Sequence, residues 1–124
     1  VAGPTTGGII LAYETARQLG LASFIAERKE DGPGREFRRG FDIGPGHRVL
    51  VVDDVLTTGG SVREVIDAVR ERGAEVAGVG MLVDRTGGKV DFGVPFFACI
   101  PIEVVSWTPE ECPLCKQGVE LKVT

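Results

Sequence analysis

Histidine is almost missing from this sequence and cysteine is sparse: His47 stands alone, and the thiols are Cys99, Cys112 and Cys115. That scarcity excludes a histidine-rich metal centre and a secreted disulfide framework, which takes a dense and even set of cysteines. An odd thiol count with no visible signal peptide points to the reducing cytoplasm. Cys112-Pro113-Leu114-Cys115 is a lone CxxC, weak as a zinc signal because a tetrahedral site needs four ligands and His47 is distant in sequence. The thioredoxin-like βαβ setting of a redox motif is lacking as well. Two reduced structural thiols are therefore the favoured reading, with a redox pair and an intersubunit metal site as the alternatives. No apolar run reaches membrane-spanning length. An excess of positive charge is also missing: the formal net charge of -4 argues against a protein that holds nucleic acid by neutralising phosphates. No initiator Met precedes Val1-Ala2-Gly3, which reads as the end of a strand, so an upstream segment is expected to be missing. There is no internal repeat. What remains, 124 residues with 43% hydrophobic and 26% charged, describes one soluble globular domain over residues 1–124 with room for a core.

The apolar pattern alternates strand and helix. Gly7 to Leu19 reads as a helix with Ile9, Ile10, Tyr13 and Ala16 on one side and Gly20 as its stop. Leu21 to Ala26 is a short apolar strand. From Glu27 to Gly46 the pattern breaks into a long basic loop with five Gly and two Pro, carrying Arg28, Lys29, Arg35, Arg38 and Arg39, with room for a small ribbon near Glu36 to Phe41. Arg48 to Val52 is a buried-looking parallel strand that ends on two acids. A second helix runs from about Ser61 to Arg72, with Val62, Val65, Ile66 and Val69 at helical spacing, a capping box between Ser61 and Glu64, and Gly73 as its stop. Glu75 to Val83 and Phe96 to Val105 supply further strands, the last interrupted by Pro101, before a turn-rich tail. The expectation is an α/β fold: an open, mainly parallel twisted sheet flanked by helices.

In such sheets ligands bind beyond the carboxyl ends of the strands. Those ends carry Gly3-Pro4-Thr5-Thr6-Gly7-Gly8, Glu27-Arg28-Lys29, Asp53-Asp54 with Thr57-Thr58-Gly59-Gly60-Ser61, and Asp84-Arg85. Two glycine-rich turns, paired acids and several cations suit a phosphorylated, polyhydroxylated ligand. Small residues between a strand and a helix let backbone N–H groups and the hydroxyls of Thr57, Thr58 and Ser61 wrap an anion. No Gly-Lys-Ser/Thr follows, so this is not a Walker loop. Asp53 and Asp54 would repel a neighbouring phosphate. Carboxylates accept well from a sugar diol and can orient a hydrated magnesium ion, which together fits a ribose 5-phosphate. The bland alternatives are a capped helix after a glycine turn and two solvated acids at a strand end.

Val49 to Ser61 resembles the motif with which type I phosphoribosyltransferases bind phosphoribosyl pyrophosphate (PRPP). The similarity extends to Gly3–Gly8 as the pyrophosphate loop and to Glu27-Arg28-Lys29-Glu30 at the mouth of a mobile catalytic loop. Leu82-Val83-Asp84-Arg85 and Pro109-Glu110-Glu111-Cys112-Pro113-Leu114-Cys115 resemble the orotate phosphoribosyltransferase branch in particular. The resemblance implies a glycosyltransferase of pyrimidine (UMP) biosynthesis that moves ribose 5-phosphate from PRPP to orotate, giving orotidine 5-monophosphate and pyrophosphate. It implies Lys29, Asp53 and Asp54 as catalytic residues. PRPP contacts fall on Thr5, Thr6, Gly7, Arg28, Lys29, Asp53, Asp54, Val55, Leu56, Thr57, Thr58, Gly59, Gly60 and Ser61. Orotate contacts fall on Thr57 and Arg85, a guanidinium that matches a carboxylate in pairs of hydrogen bonds. For Arg85 the alternative is a pairing with Asp84 or another acid. Magnesium is implied as held through PRPP near Asp53 and Asp54 rather than by a direct protein cage. A homodimer is also implied, with the basic loop 28–39 acting in the neighbouring site, no nucleic acid and no membrane. Two features depart from the family: a further Lys and His of the loop are replaced by Gly32 and Gly34, and the N-terminal hood over the base is missing. The rivals are a type I enzyme for another base, a non-catalytic PRPP-binding regulator, and a phosphorelay receiver. The last places its acids on its first strand and lacks the glycine turn that follows Asp54 here.

Overall fold

The computed structural model describes residues 1–122. The elements are β1 (Ala2–Pro4), α1 (Gly7–Leu19), β2 (Phe24–Arg28), β3 (Arg35–Phe37), β4 (Arg48–Leu56), α2 (Gly60–Glu71), β5 (Glu75–Asp84), β6 (Phe96–Pro101) and α3 (Pro113–Lys116). They form one six-stranded sheet in the order β3-β2-β1-β4-β5-β6. Every neighbouring pair is parallel except β2 and β3, which form an antiparallel edge hairpin. The order departs from chain order at β1, which lies between β2 and β4, so the carboxyl ends of β1 and β4 come side by side. Such a switch point opens a crevice for a ligand. Among the described residues no helix is long and apolar enough to cross a membrane.

The two faces of the sheet are covered unequally. α2 buries Val62, Val65, Ile66 and Val69, the expected stripe, against Val49, Val51, Leu56, Val79 and Met81 in the main core. On the other face α1 buries only Ala16 of the expected side. Ile10 and Tyr13 are 75% and 61% exposed, and the buried positions are Gly8, Ala12 and Ala16. Proximity is the reason: a Cβ added at Gly3 would lie 3.0 Å from Cβ of Ala12, so only small residues fit between α1 and β1. The size of a side chain, not its apolarity, decides which side of this helix faces in. Further along that face Leu82 and Phe97 are left exposed.

Several boundaries differ from the sequence reading. β2 begins at Phe24, and β4 continues through both acids to Leu56. The capping box does not form. Gly59 is the N-cap of α2, at φ 85°, and no side chain caps the helix. A Cβ at Gly59 would meet Arg63 Nη1 and Val90 Cγ1 at 3.0 Å as well as straining the backbone, so position and conformation both require glycine. Glu64, freed from capping, pairs with Arg35 at 3.2 Å. β6 ends at Pro101, and the stretch from there to Thr108 has no regular structure.

Arg35 is the largest departure. Read as part of a solvated basic loop, it is 2% exposed and lies in β3. Its Nη1 donates to Thr5 Oγ1 at 2.9 Å and to the Ala26 carbonyl at 3.1 Å, while Nε faces Glu64. One side chain thereby ties the β1–α1 turn, β2 and α2 together. Burial and the nearby Arg28 guanidinium lower its pKa, and Glu64 and Asp53 act in the opposite sense. Arg35→Met keeps the stem but leaves the Thr5 hydroxyl and the Ala26 carbonyl without this donor. The expected loss is about 1–3 kcal/mol of unfolding free energy, since buried polar groups without partners cost that much. Urea titration of the two proteins measures it, and superimposable curves would show that the tie carries no weight.

Candidate active site

The site forms where two glycine-rich turns meet the end of β4. Thr5 and Thr6 lead from β1 into α1, and the Thr5–Thr6 peptide is cis. The Thr5 N–H bonds to the Ala26 carbonyl at 3.1 Å, and the Thr5 hydroxyl accepts from Arg35. The turn is therefore fixed from both its backbone and its side chain. At Gly7 an added Cβ would run into the Asp54 carboxylate, and at Gly8 it would lie 3.2 Å from Asp53 Oδ1. These contacts bring the first turn, proposed from the sequence as a pyrophosphate loop, directly onto the paired acids.

The second turn follows β4. Asp53, Val55, Leu56 and residues 57–62 line a concavity of about 50 Å³ at the start of α2. Thr57 and Thr58 are exposed, Ser61 is half-buried, and Leu56 turns its side chain into the core. Backbone N–H groups in the first turn of a helix have no partner within the helix, and the helix field favours negative charge there. Arg63 braces this turn from outside: Nη1 donates to the Thr58 carbonyl at 3.2 Å and the guanidinium lies 5.3 Å from the Phe92 ring centroid. Neither Arg63 nor Phe92 was singled out from the sequence, where both are ordinary helix and loop residues.

The two acids sit in different environments. Asp53 is 7% exposed, and its Oδ1 accepts from the Asp54 N–H at 2.9 Å. Asp54 is half-buried, and its Oδ1 accepts from the Val55 N–H at 2.7 Å. Burial, reinforced by the Asp54 side chain, pushes the Asp53 carboxyl up from 3.8 to about 6, although the Asp54 N–H and Arg35 pull the other way. A carboxylate held partly neutral by burial gains from a ligand that donates hydrogen bonds to its ionised form.

Arg85 lies at the end of β5, with its N–H bonded to the Leu56 carbonyl at 2.9 Å. It does not pair with Asp84, whose Oδ1 accepts from the Thr86 N–H at 2.8 Å and from the Thr86 hydroxyl at 2.7 Å. Among the described residues Arg85 makes no ion pair, and its Nε is buried without a hydrogen-bond partner. It opens on a cavity lined by Thr86, Lys89, Glu103 and Val105.

Of the loop cations Arg35 reaches the site, through Thr5, whereas Lys29, Arg38 and Arg39 pair elsewhere. Lys29 Nζ pairs with Glu71 at 3.3 Å, in the last turn of α2, whereas the glycine turn lies before the first. Arg38 pairs with Glu30 at 2.6 Å and Glu36 at 3.0 Å, and also bonds to the Arg28 carbonyl. Arg39 pairs with Glu27 at 2.7 Å. Carboxylates of the same hairpin thus answer the clustered positive charge of Arg38 and Arg39.

Residues 1–110 match the phosphoribosyl transferase domain family. The chain is 56% identical over 121 residues to an orotate phosphoribosyltransferase of Caldanaerobacter subterraneus subsp. tengcongensis, covering 98% of this chain and 63% of that protein. It is 60% identical over 119 residues to the enzyme of that name from Pelotomaculum thermopropionicum, covering 96% and 62%. The chain therefore spans about six-tenths of the length of these relatives. Among solved structures, an orotate phosphoribosyltransferase from Aeropyrum pernix superimposes with a TM-score of 0.68 at 30% identity, over 82% of this chain and 59% of that one. An adenine phosphoribosyltransferase from Rhodothermus marinus gives 0.69 at 26% identity, over 82% and 68%. By the family match, and with two glycine turns meeting paired acids at the sheet's switch point, this chain belongs to the phosphoribosyl transferase domain family.

Proposed function

We propose that residues 1–124 form the catalytic core of an orotate phosphoribosyltransferase. The observation that carries the PRPP half of this reading is the contact of Gly7 and Gly8 with the Asp54 and Asp53 carboxylates, beside the turn at Thr57–Ser61. A 5-phosphate fits the N–H groups and hydroxyls of that turn, the ribose hydroxyls fit the acids, and the pyrophosphate fits Thr5, Thr6 and Gly7. The orotate half rests on the names of the relatives and on Arg85, whose free guanidinium suits a carboxylate. Thr57 completes the base contact. A base nitrogen displaces pyrophosphate at C1 of the ribose through a transition state with oxocarbenium character, so the protein's work is to position reactants and stabilise shifting charge.

Magnesium belongs to the same reading. Two adjacent carboxylates offer hard oxygen donors but too few for a closed cage, which suits a hydrated ion carried on the substrate phosphates. When bound, such an ion would supply counter-charge to the pyrophosphate, and Asp53 and Asp54 would orient it. A homodimer in which residues 28–39 reach the neighbouring site requires Lys29 to leave Glu71. That exposed pair is worth about 0–1 kcal/mol, so a pyrophosphate can replace it at small cost. The soluble, cytoplasmic setting expected from the thiols accords with such an enzyme.

The reading is tested by supplying PRPP, magnesium and each of several bases and measuring pyrophosphate release. Orotate alone should support turnover, and release with adenine or uracil in its place would reassign the base. Asp53→Asn with Asp54→Asn should lower turnover by about a hundredfold or more, the scale of removing electrostatic stabilisation of a charged transition state. Normal turnover in the folded double variant would remove the acids from the site.

Arg85→Ala should raise the KM for orotate by about 10- to 100-fold, the equivalent of the 1.5–3 kcal/mol of a charge-assisted contact, and leave PRPP binding nearly unchanged. Equal weakening of both ligands would place Arg85 in the phosphate site or the scaffold.

The pH dependence has a definite sign. The folded-state pKa of Asp53 is raised to about 6, so its neutral form supports the fold below its ordinary 3.8, and that contribution is lost as pH rises towards 6. PRPP donates hydroxyls to the ionised form, so its affinity should strengthen as pH rises through about 6. PRPP phosphates titrate too, so the comparison with Asp53→Asn isolates the side chain. The variant should bind more weakly, lack this part of the slope, and be more stable than the parent above pH 6. Identical slopes would assign the titration to the ligand alone.

A further inference from the structure

The CxxC of the tail is not packed as a structural pair. Neither Cys112 nor Cys115 belongs to a core cluster, both thiols are free and partly exposed, and α3 buries no side chain. The two thiols are reduced, as expected, but they do not fill a core. Within one chain a metal reading lacks ligands: among the described residues no group of three or more His, Cys, Asp or Glu is placed to hold an ion.

The backbone folds the two cysteines into one turn. The Cys112 N–H bonds to the Thr108 carbonyl at 2.9 Å, and the Lys116 N–H closes a helical turn onto the Cys112 carbonyl at 3.1 Å. Cys112 itself is extended, with φ -68° and ψ 122°, and Pro113 starts the turn. The Gly118 N–H then bonds to the Cys115 carbonyl at 3.1 Å. Within this frame one hydrogen-bonded turn separates the two thiols, and neither is covered by the core. The N–H groups of this turn and the neighbouring thiol make the two unequal, with Cys112 moved below its usual range and Cys115 above it. Cys112 is thus the better placed to attack, and Cys115, one turn further on, to resolve.

We propose that Cys112 and Cys115 form a reversible dithiol–disulfide site that exchanges with small or protein disulfides, independently of phosphoribosyl transfer. The Cys112 thiolate attacks one sulfur of an external disulfide and releases the first thiol, leaving a mixed disulfide on Cys112. Cys115 gives its proton to solvent, attacks the Cys112 sulfur and releases the second thiol. Two protein thiols lose two electrons and two protons, and one external disulfide becomes two thiols.

The intact chain, equilibrated in reduced and oxidised glutathione at set ratios, then alkylated and peptide-mapped, decides this. Cys112 and Cys115 should become unreactive together in one two-electron transition, with the mass of two hydrogens lost, while Cys99 stays alkylatable. Cys115→Ser should stop at a glutathione adduct on Cys112, and since α3 buries nothing, its circular dichroism should match the parent. Stable separate adducts on both thiols, a disulfide from Cys112 to Cys99 or to a second chain, or protection by retained zinc that a chelator releases would each overturn the assignment.

Discussion

The close approach of the β1–α1 turn to the end of β4 is the constraint on which the site depends. It works through missing atoms: Gly3, Gly7 and Gly8 have no room for a Cβ against Gly8, Asp54 and Pro4 respectively. These contacts set α1 low over β1, which forces its buried stripe down to Gly8, Ala12 and Ala16 and leaves the larger apolar residues outside. They also put the backbone of the first turn next to two carboxylates, an unfavourable place for a phosphate alone. The arrangement makes sense for a ligand with hydroxyls and metal-bound phosphates together, each meeting a different group.

Electrostatics carries the next layer. Asp53 is expensive in the free protein, because burial resists its charge and Asp54 adds to that resistance. Arg35 moderates the cost from the opposite side while holding Thr5 in place. A side chain of β3, outside any recognised motif, therefore influences both turns of the site. Such destabilising placements persist where binding requires them, and a ligand that satisfied Asp53 would stabilise the fold in return.

The alternation of strands and helices was legible in the sequence, as were α2 and the segment from Val49 to Ser61. Each rests on local rules: hydrophobic period, a glycine stop, and small residues between strand and helix. The inward side of α1 was not legible, because it depends on Gly3, distant until the chain folds. Nor was the N-cap of α2: Ser61 and Glu64 have the spacing of a capping box, but Gly59 in a left-handed conformation starts the helix one residue early and Glu64 has a better partner in Arg35. Arg63 and Phe92 carried no signal either, since their contact joins a helix to a loop some thirty residues on, beyond any local pattern.

The hairpin shows most clearly why counting charges along a chain misleads. Arg35, Arg38 and Arg39 look like mutual repulsion when read in order, yet each has an acid within 4 Å. For Arg38 and Arg39 the acids, Glu27, Glu30 and Glu36, lie in the same stretch, whereas Arg35 takes Glu64 from α2. Only Arg35 is buried, and only its loss would strand partners inside the protein. The others make exposed pairs that a more highly charged ligand can outbid, so the hairpin divides into a fixed base at Arg35 and a tip from Lys29 to Gly34. The base secures the β1–α1 turn, and the tip carries Lys29, whose present partner, Glu71, holds it only weakly.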